Sequence, residues 1–543
     1  MMKKVGLFTG VLLLVCNIEL FAQGNEIDAF TLSNSELGGT ARSMAMGGAF
    51  GSLGGDLSVI SNNPAGLGIY RSSEIAGTFD LSMVNASTSW GGVNTDRNKT
   101  RFTPNNYGFT LYFPTNSESV RNWNLGFSYN RLKNYNRSYK MSNKGQNYSM
   151  ADYVAWRASN AFGSGNGITR EELTYVKDGY DPYNNKDLAG QWLPVLGYEA
   201  GFYDHYAGGQ NEYQSSFGRK TGNEWVIDSP YKNSLIVNER GHMDEYNIGL
   251  GMNISDFLFL GASISITDIS YRYSSYYEDL FAYDKKDDQL YLENSLNTEG
   301  TAVSVNVGAI MNLQLLRLGV AYNSPRWYDM TDYFWAQAGT YVNGYDDPSI
   351  KNQTPEDAYS EYRFRTPDKW IFSGSVILGQ SALISADYEI MDYRKMHFSD
   401  KDGYDGGYSM NGYIDDDYTS AHTLKLGAEI KVTPQFAVRA GYMTQTSPMR
   451  KALFNNDVEV LPAGTIPHFT VASKPTNYYT VGLGYRFTPN FYIDLACAYR
   501  YNSSHAYAFS NTYKNDKTVD VYSEPGSLKT KTTRLVLTLG YKF

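Results

Sequence analysis

The amino-acid sequence predicts an all-β chain: a transmembrane antiparallel β-barrel of about 14 strands, with a small N-terminal helical hatch inside the lumen. Three observations predict it. Segments of roughly ten residues alternate apolar and polar side chains with period two. The connections between those segments are short and long by turns, as on the two rims of a barrel. The 543 residues include 47 Tyr, 26 Phe and 51 Gly but only 17 Pro, and a mean hydropathy of −0.43 excludes a bundle of membrane helices.

The chain divides into three parts. Residues 1–22 read as a signal peptide: Lys3 and Lys4 form the basic region, Val5 to Val15 the apolar one, and Leu20-Phe21-Ala22 the cleavage site before Gln23. A lipoprotein reading of Leu13-Leu14-Val15-Cys16 is opposed by the bulky Val15. With Cys16 lost, Cys497 is the only thiol and no disulfide framework forms within the chain.

Residues 23–75 read as the hatch. The stretch Gly38 to Gly68 is rich in Gly, Ala, Ser and Met, lacks lysine, and breaks at Asn62-Asn63-Pro64-Ala65-Gly66. Small residues let backbones pack closely, and Pro64 disfavours helix at Asn63. Residues 76–543 read as the barrel, with strands near 78–84, 106–113, 123–131, 245–254, 257–267, 301–311, 315–323, 369–378, 381–391, 423–432, 435–443, 478–487, 491–501 and 532–543. The last shows the pattern best: Leu535, Leu537, Leu539, Tyr541 and Phe543 share one face, and Arg534, Thr538, Gly540 and Lys542 the other. Short turns fall at Ser255-Asp256, Asn312 to Gln314, Gly379-Gln380, Thr433-Pro434 and Thr488 to Asn490. An even strand number places both termini on the short-turn rim. Residues 132–244 are too long for a plain connection and read as a folded cap on the opposite rim.

Several side chains invite a chemical role. Inward-facing Arg317, Lys425, Arg439, Arg486, Arg500 and Arg534 are able to grip a ligand carboxylate; the plainer reading pairs them with Glu429, Asp387 and Asp494 to fill the lumen. The acidic run Asp400 to Asp405 with Asp415-Asp416-Asp417 lacks EF-hand spacing and reads as a solvated loop, so no metal is expected. The six histidines are scattered; His205, His242 and His468 are the candidates for a haem ligand, against a surface role for each. Trp123, Trp370 and Tyr442 fit interfacial belts. Trp327, Tyr328, Phe334 and Trp335, read as loop residues, are candidates for a hydrophobic access groove. His422 and His505 lack an evident nucleophile, so no catalytic residues and no enzyme are expected. A net charge of −9 argues against nucleic acid.

From Ala41-Arg42 through Met46-Gly47-Gly48-Ala49-Phe50 to Asn63-Pro64-Ala65-Gly66-Leu67, the chain resembles the FadL/TodX family of outer-membrane transporters for hydrophobic compounds. The likeness returns at Thr366 to Trp370, Ala386-Asp387-Tyr388, Arg439 to Tyr442 with Ser447-Pro448, and Thr480 to Tyr485. The resemblance implies a monomeric fourteen-stranded barrel in the bacterial outer membrane, plugged by its N-terminal hatch. It also implies capture of hydrophobic ligands by extracellular loops and lateral exit at a kinked third strand. Here that strand is Asn122 to Arg131 with Gly126 near its middle, and Asn62, Asn63, Pro64, Ala65 and Gly66 are the expected hinge. Partners implied are a fatty acid-like molecule, outer-membrane lipid or lipopolysaccharide, and the barrel-assembly machinery through C-terminal Phe543. Passive uptake needs no cofactor, and Gly47 to Gly55 lacks the ending of a phosphate loop. Two alternatives stand beside uptake: a shuttle role in protein export, and a receptor for haemin or another hydrophobic ligand.

Overall fold

The computed structural model describes residues 24–543 apart from 164, 175–178, 189, 207, 208, 210, 223, 283–286, 343–349, 357, 380, 405–409 and 473. The leader read over 1–22, with Cys16, lies outside the described residues, as do Gln380 and Asp405. Fourteen antiparallel strands close on themselves. In chain order they are β1 (Glu74–Trp90), β2 (Val93–Pro114), β3 (Val120–Asn134, continued by Arg137–Asn143), β4 (Lys232–Ile254), β5 (Leu258–Phe281), β6 (Asp288–Leu313), β7 (Leu316–Asn323 and Trp327–Tyr341) and β8 (Tyr359–Arg365 and Lys369–Leu378). Then follow β9 (Ala382–Asp392 and His397–Asp400), β10 (Ser420–Lys431), β11 (Phe436–Gln445), β12 (Phe469–Ala472 and Thr476–Arg486), β13 (Phe491–Tyr507) and β14 (Gly526–Lys542). The ladder from Glu74↔Lys542 to Ser89↔Ser527 joins β14 to β1 and shuts the sheet.

Period-two burial explains why these segments face as they do. On β4, Ile248 and Leu250 are exposed while Asn247 and Asn253 are buried; on β5, Ile264 and Ile266 are exposed while Ser263 and Ser265 are buried. The sheet is therefore apolar outside and polar inside, the reverse of a soluble sandwich. At the short-turn rim, Ser255 and Asp256 both have positive φ, +54° and +58°, the two-residue turn whose twist matches its strands.

At the other rim the strands outrun the sequence reading. β1 and β2 stay paired to Trp90↔Val93, turning on Gly91 and Gly92, and β5 and β6 stay paired to Phe281↔Asp288. The reading ends β5 at 267 because outward residues beyond it, Asp268, Ser270 and Arg272, are polar; the apolar contrast that marks a strand stops where lipid contact stops. Trp327, Tyr328, Phe334 and Trp335 are corrected by the same finding. They lie on β7, not in a loop.

The segment after β3 folds over the long-strand rim. Its Arg137–Asn143 piece continues β3 on β4 and so leaves the strand count unchanged. Helices α4 (Met150–Ser159), α5 (Arg170–Leu173) and α6 (Trp192–Glu199) follow, α4 started by a capping box between Ser149 and Asp152. Tyr153, Val154, Leu193 and Leu196 are fully buried in one apolar cluster with Trp90, Leu235, Tyr277, Leu292, Ala336, Phe509 and Leu528. Those partners belong to β14, β1 and β4 to β7 or the loop before β14, so one core ties the cap to that arc of the mouth.

Candidate functional site

Inside the barrel lie the N-terminal helices α1 (Glu26–Ser33), α2 (Ala41–Ala45) and α3 (Val59–Asn62) and the 3-10 turn Pro64–Ile69. Asn63 organises the turn. Its amide donates to the Gly51 carbonyl at 2.6 Å, and its Oδ1 accepts from the Ala65 N–H at 3.2 Å. Pro64 suits the first position of the turn because its missing N–H has no helical partner to lose. Gly66 accepts from the Gly55 N–H at 3.3 Å, and the Asn62 carbonyl accepts from Asn323 of β7 at 3.3 Å.

The wall is shaped to receive this segment. A Cβ on Gly308 of β6 would strike Asn63 Oδ1, one on Gly261 of β5 would strike the Pro64 carbonyl, and one on Gly441 of β11 would strike the Gly47 nitrogen. Glycine is used at these positions for close backbone approach. Hydrogen bonds fasten the rest: Ala41 N–H to Thr538 of β14 at 2.8 Å, Gly51 N–H to Asp387 of β9 at 2.8 Å, and Gly47 N–H to Thr480 of β12 at 3.1 Å. Gly126 of β3 also abuts the hatch, but through Leu67 and Ile60 rather than Asn63.

The inward cations separate into distinct settings. Arg439 bonds Glu429 at 2.6 Å and Asp494 at 2.5 Å, and Glu429 also takes Arg42 of α2 at 2.9 Å. Arg500 pairs with Glu36 of the hatch at 2.6 Å, Arg534 with Asp80, and Lys425 with Glu389 at 2.6 Å, not with Asp387. Arg317 donates to the Leu53 carbonyl at 2.9 Å. Arg486 is exposed at the short-turn rim. Arg439 and Arg486 line one cavity of about 270 Å³ there, while Arg500 and Arg534 line another of about 140 Å³ higher in the lumen. The five arginines singled out for a ligand are thus not brought to one place. Arg42 and Glu36, the hatch's own charges in these pairs, escaped the sequence reading. Arg42 was detectable, being one of only two charged residues between Gly38 and Gly68, where an unpaired charge in a lumen is costly.

The wall has a split. β2 pairs with β3 only from Pro114↔Asn122 to Asn106↔Asn130, where the Asn106 amide clamps Asn130 Oδ1 at 2.5 Å. Among the described residues, β2 beyond Asn106 keeps only its ladder to β1, and β3 beyond Asn130 only its ladder to β4, with a register shift between Arg131 and Lys133. Phe102, on the free edge of β2, is outward and 66% exposed, stacked with Phe79 at 5.9 Å. From inside, the link between α1 and α2 covers the split. Glu36 donates its N–H to the Leu132 carbonyl at 2.8 Å, and Asn105 of β2 donates to the Gly39 carbonyl at 2.5 Å.

Above the hatch is an apolar chamber, and α1 occupies it. Ile27 and Leu32 pack with Tyr271, Tyr328, Met330, Phe364, Phe398 and Met449 in one buried cluster. Glu26 is fully buried in it; burial, with the nearby negative charges of Asp417, Asp28 and Glu459, pushes its carboxyl up to about 8. Burial likewise lifts Asp28 to about 6, against the opposing hydrogen bond from the Asn25 backbone. On β7, Tyr328 and Phe334 point inward, Phe334 against Trp192 of the cap at 5.1 Å, while Trp327 is exposed on the outer face. Trp335 follows the outer alternation and is half-buried. His468 is buried and bonded to the Ala508 carbonyl at 2.6 Å, and burial holds its ring down to about 4. His205 lies in the cap and His242 on the outer face of β4, so the three histidines do not converge. No metal-binding cluster of three His, Cys, Asp or Glu residues occurs among the described residues.

No sequence-family model and no curated protein matches the chain. Solved structures do. A FadL homologue of Pseudomonas aeruginosa superposes with a TM-score of 0.51 at 12% identity, over 94% of this chain and 99% of that one. A mutant of the TodX monoaromatic hydrocarbon channel gives 0.51 at 13% identity, over 93% and 98%. The chain has the fold of these FadL and TodX structures: a closed fourteen-stranded barrel with N-terminal helices.

Proposed function

We propose that the protein is a bacterial outer-membrane channel through which hydrophobic small molecules of the fatty-acid type move passively and leave sideways into the membrane. The observation that carries this reading is the split above Asn106 and Asn130, faced outside by exposed Phe102 and covered inside by the α1–α2 link. An apolar molecule gains nothing by crossing into water, so a side exit into lipid is the favourable route. The chamber around α1 supplies the apolar surface, and the cavity of about 140 Å³ beside it, lined by Lys133, Arg137 and Arg500, supplies cations for a carboxylate. That cavity is smaller than a long acyl chain, so the chain of the ligand takes the place of the apolar face of α1. In this reading Asn62 to Gly66 hold the hatch to the wall, and Glu36 to Gly39 act as the gate. Phe334 serves as a contact for an incoming molecule only once the cap over it has shifted, whereas Trp327 and Trp335 are on the outer face.

The test is to extract what co-purifies with the detergent-solubilised barrel and identify it by mass spectrometry, then to follow a fluorescent fatty acid into the bilayer of proteoliposomes. Bound lipid and protein-dependent transfer are expected. A bound polypeptide, with no transfer, would favour the export role instead.

A further inference from the structure

Beside the split, cations gather between the inward face of β2 and the outer face of β3 and β4. Arg97, Lys99 and Arg101 occupy every second position of β2 and so share one face of its free edge. That face looks onto β3 and β4: Lys99 donates to the carbonyls of Arg137 and Glu239 at 3.2 and 3.3 Å. Arg101 interacts electrostatically with Arg131, Asp244 and Arg240, and Lys99 with Arg240, Glu239, Arg97 and Arg101. One strand further round, Arg240 of β4 stands directly opposite Arg272 of β5. Like charges directly opposite each other on a sheet are destabilising.

The nearby acids do not offset this. Asp244 is held by two hydrogen bonds from Arg131, at 2.8 and 2.9 Å, and Glu239 by two from Arg137. Asp268 lies near His242 at 3.9 Å. Among the described residues, Arg97, Arg101, Arg240 and Arg272 form no ion pair. The height of the group on the barrel is also informative. Tyr107, Tyr129 and Tyr246 form an outward ring stack, with centroids 4.5 and 5.4 Å apart, of the kind that marks the headgroup level. Arg131 follows Tyr129 by two residues toward the cap rim, and Arg240 lies six residues beyond Tyr246 in the same direction. The cations therefore begin at the headgroup level, with Arg101, Arg240 and Arg272 about 15 Å above it at the usual rise and tilt of barrel strands.

We infer that this notch binds the phosphate groups of an outer-leaflet lipid, which lies across the split and closes its outer side. Arg101, Arg240 and Arg272 supply planar forks suited to phosphate oxygens. The inference rests on the membrane setting proposed above, but not on transport.

The experiment uses the full-length protein, reconstituted with lipopolysaccharide and, separately, with the same lipid after enzymatic removal of its phosphates. Retention through detergent re-extraction is read by native mass spectrometry. The wild-type protein is expected to retain the phosphorylated form, and R101Q/R240Q/R272Q to retain about tenfold less, as for the loss of charge-assisted contacts. R101K/R240K/R272K is expected to restore much of the retention, and R121Q, on the opposite rim, to leave it unchanged. Heat-modifiable migration on a gel shows that each variant is folded. Equal retention of both lipid forms, equal retention by the triple Gln variant, or displacement by millimolar inorganic phosphate as effective as by the lipid itself would each overturn the inference. Failure of the wild-type protein to insert into vesicles at all would overturn the membrane setting, and the inference with it.

Discussion

Glu36 and Leu132 join the hatch to the wall at a place where neighbouring strands of the wall have parted. The Glu36 N–H reaches the Leu132 carbonyl at 2.8 Å, on the stretch of β3 that has parted from β2. Next to it, a Cβ on Gly38 would lie 3.0 Å from the Arg131 carbonyl. The plug is therefore a surrogate strand neighbour, and moving it uncovers a strand edge.

That relationship yields the first prediction. A disulfide between G38C and L132C, which line one lumen cavity, in a C497S background, is expected to leave ligand binding intact and to stop transfer of a fluorescent fatty acid into the bilayer, with reduction restoring it. Unchanged transfer in the oxidised protein would show that the link is not the gate.

The second concerns Asn63. N63A removes the bond to Gly51 and the cap on Ala65, and leaves buried backbone groups without partners, at about 1–3 kcal/mol. Faster hydrogen exchange of residues 51–66, with barrel strands unaffected, is the expected result. G308A should act in the same direction by pressing on Asn63 Oδ1; unaltered exchange in both variants would remove Asn63 as the staple.

The third is a pH effect on α1. Glu26 in the chamber keeps its proton up to about 8, against 4.5 when free in water. Docking of α1 is thus fully favoured below pH 4.5, weakens by ~1.4 kcal/mol per unit as pH rises toward 8, and levels off above it. Asp28, lifted to about 6, adds in the same sense over its lower window. Proteolytic cutting within residues 24–34 should therefore increase from pH 5 to pH 8, and E26Q should flatten most of that rise.

The fourth tests the lumen network. R439M strips Glu429 of one of two partners and Asp494 of the one shown here. Leaving buried carboxylates unpaired costs about 3–5 kcal/mol, so the thermal midpoint should fall clearly, and D494N should recover part of the loss. A midpoint unchanged by R439M would mean the network is solvated.

Much of this architecture could be read before any coordinates. Leu535 to Phe543 and Leu424 to Ile430 announce strands because lipid on one side and water on the other impose a two-residue rhythm. The rhythm fades where both sides are wet or where one packs on a cap, so the ladders around Phe281 and Trp90 went unread. The hatch was visible in its small residues and its Pro64 break. Its contacts were not: Glu36 with Arg500, and Glu36 with Leu132, join residues hundreds apart or lie on backbone atoms that carry no sequence signature. Trp327 and Phe334 look alike in a sequence, yet opposite parity along β7 sends one outward and the other into the cap.

Thr538 has a consequence for how the molecule is assembled. Its hydroxyl meets Thr78 of β1 at 2.7 Å across the closing seam, and the same oxygen accepts from Ala41 of the hatch at 2.8 Å. The last strand made is thus zipped to the first strand at a point that also needs the plug in position. The closing seam and the seated plug therefore share one hydrogen-bond node, and a change at Thr538 loosens both together.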